Sequence, residues 1–341
     1  MSQFFKIKEN RIEWIDVSRG IGIIFVILGH LRFPYLTTWI YTFHMPLFFF
    51  LSGCVYKRRS FKEFILKNIK SCFIPYWTLG VVIWGFYVIV NLFVGEKGLY
   101  GSNLEMLWNL VKQQGYWTIW FLACLFISQI LFFVIDRLSN DKDYLGLLLS
   151  SVVCIAGFVY YRFGGHVLPW NIDIACIAQF FMRLGYLFMN CKKCKEFMLE
   201  CSNVKCLIIS ATCLLINVAT GFLCIRLSGH SLDMSIGMYG NEMLTVISAI
   251  SGLLFVISVA NRFHWSPLVY LGQNTLIIFA WHSRIIIVLM NYSYKALGLF
   301  QNDDLISQIV QCSISFVIIL IVLIPITELI KKSKLHKWFG V

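Results

Sequence analysis

Residues 14–30 read Trp14-Ile-Asp-Val-Ser-Arg-Gly-Ile-Gly-Ile-Ile-Phe-Val-Ile-Leu-Gly-His30. The run is apolar enough to enter a bilayer, yet it carries Asp16, Arg19 and His30. Ionisable groups are costly inside a membrane, so they usually face a cavity or a partner and mark functional positions. Asp16 and Arg19 stand three residues apart, close enough to pair on one helix face. His30 follows Arg19 by eleven residues. That is about three turns, so both side chains point almost the same way, about 16 Å apart along the axis. This rise is about half the hydrocarbon thickness of a bilayer. Each residue also has a bland reading: an interfacial ion pair with Arg19 snorkelling to water, and a histidine at the end of a span. Their alignment on one stripe favours function. Gly20, Gly22 and Gly29 flank the stripe and would let a neighbouring helix or a ligand come close.

The rest of the composition agrees with a membrane protein. Of 341 residues, 59% are hydrophobic and only 13% charged, where a soluble domain carries roughly 25% charge. Apolar windows of about twenty residues fall at Ile12–Leu31, Trp39–Val55, Cys72–Val94, Trp117–Ile135, Leu145–Tyr161, Ile172–Met189, Cys206–Ile225, Met243–Val259, Leu268–Met290 and Ile306–Leu329. The expected fold is an all-α integral membrane protein of about ten transmembrane helices, one polytopic domain over residues 1–341. The longest gap, Gly95 to Tyr116, reads as a loop or a surface helix. The polar start followed by a full-length span carries the expectation of no cleaved signal peptide. No internal repeat is visible, which weakens an inverted-repeat transporter reading.

Lys and Arg counted over alternate loops give twenty on the side of the N-terminus and six on the other. By the positive-inside rule both termini are expected in the cytoplasm. The net charge of +12 is then topological, so anionic membrane lipids are the expected partners and nucleic acid is not. In this orientation Arg19 lies toward the cytoplasm and His30 toward the outer face.

Other polar residues are weighed against this frame. His44 lies near the start of the second window, two residues before Pro46, which should kink or start the helix. His30 and His44 near one face suggest zinc, but no third ligand stands at a convincing spacing, and no metal is expected. The densest basic stretch includes Arg58, Arg59, Lys67 and Lys70. Plain positive-inside charge explains it; a collar for a polyphosphorylated molecule such as coenzyme A is the functional alternative. Trp117 and Trp120 read first as interface anchors and second as platforms for a sugar ring. Asn274, Thr275, His282 and Arg284 place polarity in the ninth span, as a second cavity wall would. Arg183 in the sixth has no visible partner. The twelve cysteines form no disulfide framework. The cluster Cys191, Cys194, Cys201 and Cys206 reads as free thiols or palmitoylation sites ahead of a zinc knot.

The ensemble of motifs resembles the membrane acyltransferase-3 family, of the carbohydrate O-acetyltransferase, fucose 4-O-acetylase-like type. The matching residues are Asp16-x-x-Arg19 merged with Arg19-x10-His30, His44-Met-Pro-Leu-Phe-Phe-Phe-Leu-Ser-Gly53, Ile74-Pro-Tyr76 behind a basic segment, Trp120-Phe-Leu122, and Leu271-Gly-Gln-Asn-Thr-Leu276 leading to His282. They run in order over nearly the whole chain. The family's pair of arginines before the proline falls on Lys67 and Lys70, a departure that keeps charge and loses the bidentate fork.

The resemblance implies a transferase of the EC 2.3.1 type in the plasma or inner membrane. It would move an acetyl group from cytoplasmic acetyl-CoA, the acyl-CoA donor, to a hydroxyl of a cell-surface glycan or lipid-linked sugar acceptor. His30, Arg19 and Asp16 would then be catalytic. Arg19, Arg58, Arg59, Lys67 and Lys70 would hold the donor, and His44, Trp120, Asn274 and His282 the acceptor. His30, with an ordinary imidazole pKa of about 6.5, would serve as general base or as nucleophile, and these stay open. The rivals are a glycan or lipid transporter or flippase using the stripe as a proton relay, and an inactive sensor domain that binds coenzyme A without turnover.

Overall fold

The structure is a computed structural model that describes residues 7–8, 11–31, 33, 35–94, 101–113, 118–194, 196, 201–263, 265–300 and 304–339. A two-residue antiparallel pairing of Ile7–Lys8 with Arg11–Ile12 leads into an all-α bundle. Its helices are α1 Glu13–His30, α2 Leu36–Ile40, α3 His44–Cys54, α4 Phe61–Asn68, α5 Ile74–Val94, α6 Asn103–Lys112, α7 Trp120–Leu138, α8 Asp143–Arg162, α9 Ile172–Asn190, α10 Asn203–Ser228, α11 Glu242–Ala260, α12 Ser266–Gln273, α13 Thr275–Trp281, α14 Val288–Ala296 and α15 Leu305–Lys332. Short π-helical segments, Ile69–Phe73 and His282–Ile287, join α4 to α5 and α13 to α14.

Among the described residues, eight helices are long and apolar enough to cross a membrane. They correspond to the third through tenth windows of the sequence. The first two differ for physical reasons. α1 carries Glu13, Asp16 and Arg19 within its 18 residues, and α3 has only 11 residues, with Pro46 in its first turn, where the missing N–H has no helical partner to lose. α1 is accordingly shielded by protein: it packs against α2, α3, α11, α12, α13 and α15, and most of its side chains are buried. Within the gap between the third and fourth windows, α6 is a surface helix capped by Ser102, whose hydroxyl accepts from Glu105 N–H at 3.2 Å. It buries Met106 and Leu110 and exposes Leu104 and Trp108.

Two glycine pairs set the closest helix crossings. Gly20 of α1 lies on the backbone carbonyl of Leu268, and Gly272 of α12 lies on that of Asp16. Gly53 of α3 and Gly185 of α9 meet the carbonyls of Met182 and Phe50 in the same reciprocal way. Small residues let helix backbones touch, the usual route to tight association where lipid supplies no hydrophobic drive. Gly272→Ala is expected to destabilise by about 1–3 kcal/mol through overpacking. Gly85→Ala in α5, whose added methyl meets no atom within 4 Å, is expected to cost nothing. Thermal unfolding of the detergent-solubilised variants distinguishes the two.

The partner of Arg183 is Asp136, at the far end of α7. Arg183, 0% exposed, places Nη1 3.4 Å from Asp136 Oδ1 and its guanidinium 4.3 Å over the ring of Phe132. Arg58, in the connection between α3 and α4, grips the same carboxylate from the loop side through Nε at 2.9 Å and Nη2 at 3.1 Å. It also pairs with Asp141. One buried carboxylate thus ties α7, α9 and that connection together.

Candidate active site

The stripe of α1 lies along α12, α13 and the π segment that follows α13. α12 runs antiparallel to α1, with Gly20 on Leu268 and Gly272 on Asp16. Past the break at Asn274 the chain turns back, so that α13 and the π segment run parallel to α1, from Gln273 at Asp16 to His282 at His30. At the Asp16 end, the buried carboxylate faces Arg19 Nη1 at 3.6 Å. It also accepts a hydrogen bond from Gln273 Nε2 at 3.2 Å. Gln273 belongs to the motif leading to His282, yet the sequence gives it no role, because its partner is 257 residues away. Two contacts fix the Asp16 carboxylate, and Asp16 in turn aims Arg19, whose side chain is 28% exposed.

At the other end, the imidazoles of His30 and His282 meet edge to face with ring centroids 4.7 Å apart. His282 Nδ1 is 3.0 Å from the carbonyl of Ile278, and His30 Nδ1 is 2.8 Å from that of Val26. A carbonyl only accepts, so in the neutral rings both Nδ1 atoms carry the proton. His282 Nε2 is then a lone-pair acceptor 3.2 Å from His30 Nδ1, and His30 Nε2 is the basic nitrogen of the pair. Position 282 opens a π segment. Such bulges shift the register of side chains and frequently occur at functional sites. The carbonyl of Arg284 within this one accepts from the hydroxyl of Tyr87 at 3.0 Å.

The other residues singled out in the sequence divide. His44 is buried, with Nδ1 2.9 Å from the carbonyl of Ile40 and its ring edge-on to Tyr41 at 5.0 Å. It lies within electrostatic range of His30. Trp120 is buried against Phe121, away from a lipid-facing position. Phe121 continues through Phe279 toward His282. Asn274 turns back to donate to the carbonyl of Tyr270 at 2.7 Å, at the break between α12 and α13. Trp117 lies outside the described residues.

On the Arg19 side, Lys67 lies within electrostatic range of Arg59, Lys57 and Arg19. Arg59 keeps a buried Nε without a hydrogen-bond partner. Lys70 is exposed within the π segment. Arg58 is the exception in the basic stretch, its guanidinium being committed to Asp136 and Asp141. Among the described residues, no three His, Cys, Asp or Glu side chains are grouped to hold a metal ion. Cys191, Cys194, Cys201 and Cys206 are free thiols; Cys191 Sγ accepts from the N–H of Cys194 and Cys206 Sγ from Arg262 Nε, each at 3.4 Å.

The arrangement suits proton transfer at one end and anion contact at the other. A basic imidazole nitrogen backed by a second imidazole can take a proton from a hydroxyl. Arg19, Arg59 and Lys67 can meet phosphates. No curated protein and no solved structure matches the chain. The family model described as an acyltransferase domain matches residues 12–328, a range that contains every residue of both ends. With its set of apolar helices and this match, the chain belongs to the membrane acyltransferase-3 family and is a multi-pass membrane acyltransferase.

Proposed function

We propose that this acyltransferase moves an acetyl group from cytoplasmic acetyl-CoA to a hydroxyl of a cell-surface or lipid-linked glycan, in the plasma or inner membrane. The observation that carries the reading is the His30–His282 pair, 3.2 Å apart, with His30 on the same helix that carries the Asp16–Arg19 pair about three turns below. The site can deprotonate an acceptor at one end and hold an anionic donor at the other. The donor supplies an activated acyl carbonyl and a thiolate leaving group. Arg19, Arg59 and Lys67 suit its phosphates, the buried unpartnered Nε of Arg59 most directly, while Arg58 is spoken for by Asp136.

His30 Nε2 takes the proton of the acceptor hydroxyl as its oxygen bonds to the acyl carbon, and returns that proton to the sulfur as the carbon–sulfur bond breaks. While His30 is an imidazolium, its Nδ1–H is shared between the Val26 carbonyl at 2.8 Å and the lone pair of His282 Nε2 at 3.2 Å, and both stabilise the charge without themselves taking the proton. Asp16 and Gln273 keep Arg19 aimed along the stripe.

His282 is therefore a positioning residue. His282→Ala is expected to lower kcat about a hundredfold with the KM for the acyl donor unchanged, and His282→Gln, which keeps an acceptor oxygen, to recover about tenfold of that. Equal losses in both variants would assign His282 to packing alone. The proposed function itself is tested by mass analysis of surface polysaccharide from cells with and without the protein. Acetyl groups are expected to disappear with it, and an unchanged acetylation pattern would count against the reading.

A further inference from the structure

Most of the twelve cysteines are buried, and a buried thiol behaves as a small apolar side chain. Four are partly exposed: Cys176, Cys191, Cys194 and Cys213. Cys176 and Cys213 lie within membrane-crossing helices, on α9 and α10. Cys191 and Cys194 lie beyond the last residue of α9, in the connection to α10. A water-borne reagent can therefore reach these two, and in the orientation expected from the charge count they face the cytoplasm.

The two thiols are engaged with each other. Cys191 ends α9 with extended backbone, and residues 192–194 form one helical turn. Cys191 Sγ accepts from the N–H of Cys194 at 3.4 Å, and the Cys194 thiol donates to the same sulfur. Cα atoms three residues apart across such a turn are about 5 Å apart, within the span a disulfide bridges. The pair is also asymmetric. The hydrogen bonds from Cys194 hold the Cys191 thiol below the ordinary cysteine range, while burial pushes that of Cys194 up. The thiolate is the reacting form, so Cys191 is the attacking sulfur and Cys194 the one held in reserve.

The neighbouring pair, Cys201 and Cys206, has a structural explanation instead. Ser202 caps α10, its hydroxyl accepting from Lys205 N–H at 3.3 Å. Cys201 precedes that cap and Cys206 is the fourth residue of the helix, the two positions that pack as a hydrophobic staple. Both are buried. Arg262 donates to the Cys201 carbonyl and to Cys206 Sγ, which fastens the end of α11 to the start of α10.

We propose that Cys191 and Cys194 form a thiol–disulfide exchange site for small disulfides of the glutathione class. The Cys191 thiolate attacks one sulfur of the disulfide, whose S–S bond breaks and releases one thiol as a mixed disulfide forms on Cys191. Cys194 then gives up its proton and attacks Cys191 Sγ, releasing the second thiol. The protein dithiol loses two electrons and two protons, and the small disulfide gains both. Cytoplasmic thiols are ordinarily kept reduced, so the free pair is the resting state and the bridge records a rise in oxidised glutathione. A structural zinc ion would need four ligands, and among the described residues no third metal-binding side chain joins the pair. A lipid anchor would need one exposed thiol and no partner.

The test treats the full chain in lipid nanodiscs with oxidised glutathione, blocks the remaining thiols with N-ethylmaleimide and maps the peptides by mass. A bridge between Cys191 and Cys194 is expected, with no glutathione retained and with Cys201 and Cys206 unreacted. Cys194→Ser is expected to stop at the mixed disulfide, holding one glutathione on Cys191. Cys191→Ser is expected to react about tenfold more slowly than wild type. The wild-type map alone decides the pairing, so the test stays valid if a serine variant unfolds. Absence of that bridge, glutathione retained by wild type, or an unchanged rate in Cys191→Ser would overturn the proposal. A thioester-linked acyl chain on either residue in protein taken from membranes would overturn it as well.

Discussion

His30→Ala is expected to lose acyl transfer by about three orders of magnitude, within the range that general acid–base catalysis contributes. Of the His30–His282 pair, the site leaves the basic imidazole nitrogen on that residue. Both Nδ1 atoms are committed to carbonyls in neighbouring helical turns, and His282 Nε2 faces back toward His30. Removing the ring takes away the proton acceptor and leaves His282 with nothing to stabilise. The fold should survive, because His30 ends its helix and is only half-buried. Donor binding should survive as well, since Arg19, Arg59 and Lys67 lie toward the other end of the stripe. Single-turnover kinetics with the acyl donor, beside equilibrium binding of coenzyme A, separates these. Slow transfer with unchanged coenzyme A affinity is the expected result; an equal fall in both would make His30 a structural residue. If a covalently acylated wild-type enzyme accumulates and His30→Ala does not form it, His30 acts as nucleophile rather than base.

Asp136→Ala is expected to be the most damaging substitution for stability, by about 3–5 kcal/mol. Arg183 would keep its full charge in a fully buried position with its contact to the Asp136 carboxylate gone. Two of its nitrogens, Nε and Nη2, already lack hydrogen-bond partners. The double variant Asp136→Leu with Arg183→Met removes both buried charges and is expected to recover most of the loss, as apolar replacements of buried pairs often do. Thermal unfolding of the purified protein is the measurement. A small effect of Asp136→Ala, or a double variant no better than the single, would show that the pair does not tie α7 to α9.

The long elements of this fold were legible because hydrophobic length is a local property. Eight of the windows read from residues 72–329 have counterparts among helices able to cross a membrane. What failed locally was α3, where Pro46 and a run of eleven residues make a shorter helix than hydropathy alone suggests. The stripe on α1 was legible for the same local reason: Asp16, Arg19 and His30 share a face by helical period. Contacts between distant segments were not. Nothing near Arg183 in sequence points to Asp136, 47 residues away, and nothing near His30 points to His282, 252 residues away. Arg58 shows the limit most clearly. It sits among look-alike cations, Lys57 and Arg59, and only its spatial neighbours Asp136 and Asp141 separate it from them.

The central claim is that one membrane site passes an acyl group from a cytoplasmic thioester to an outward-facing sugar hydroxyl. Radiolabelled acetyl-CoA supplied to the outer medium of inside-out vesicles tests it most directly, because that medium reaches the cytoplasmic face. Label is expected in the glycan enclosed by wild-type vesicles and absent from those carrying His30→Ala. Unlabelled glycan in wild-type vesicles, or equal labelling in both, would contradict the account.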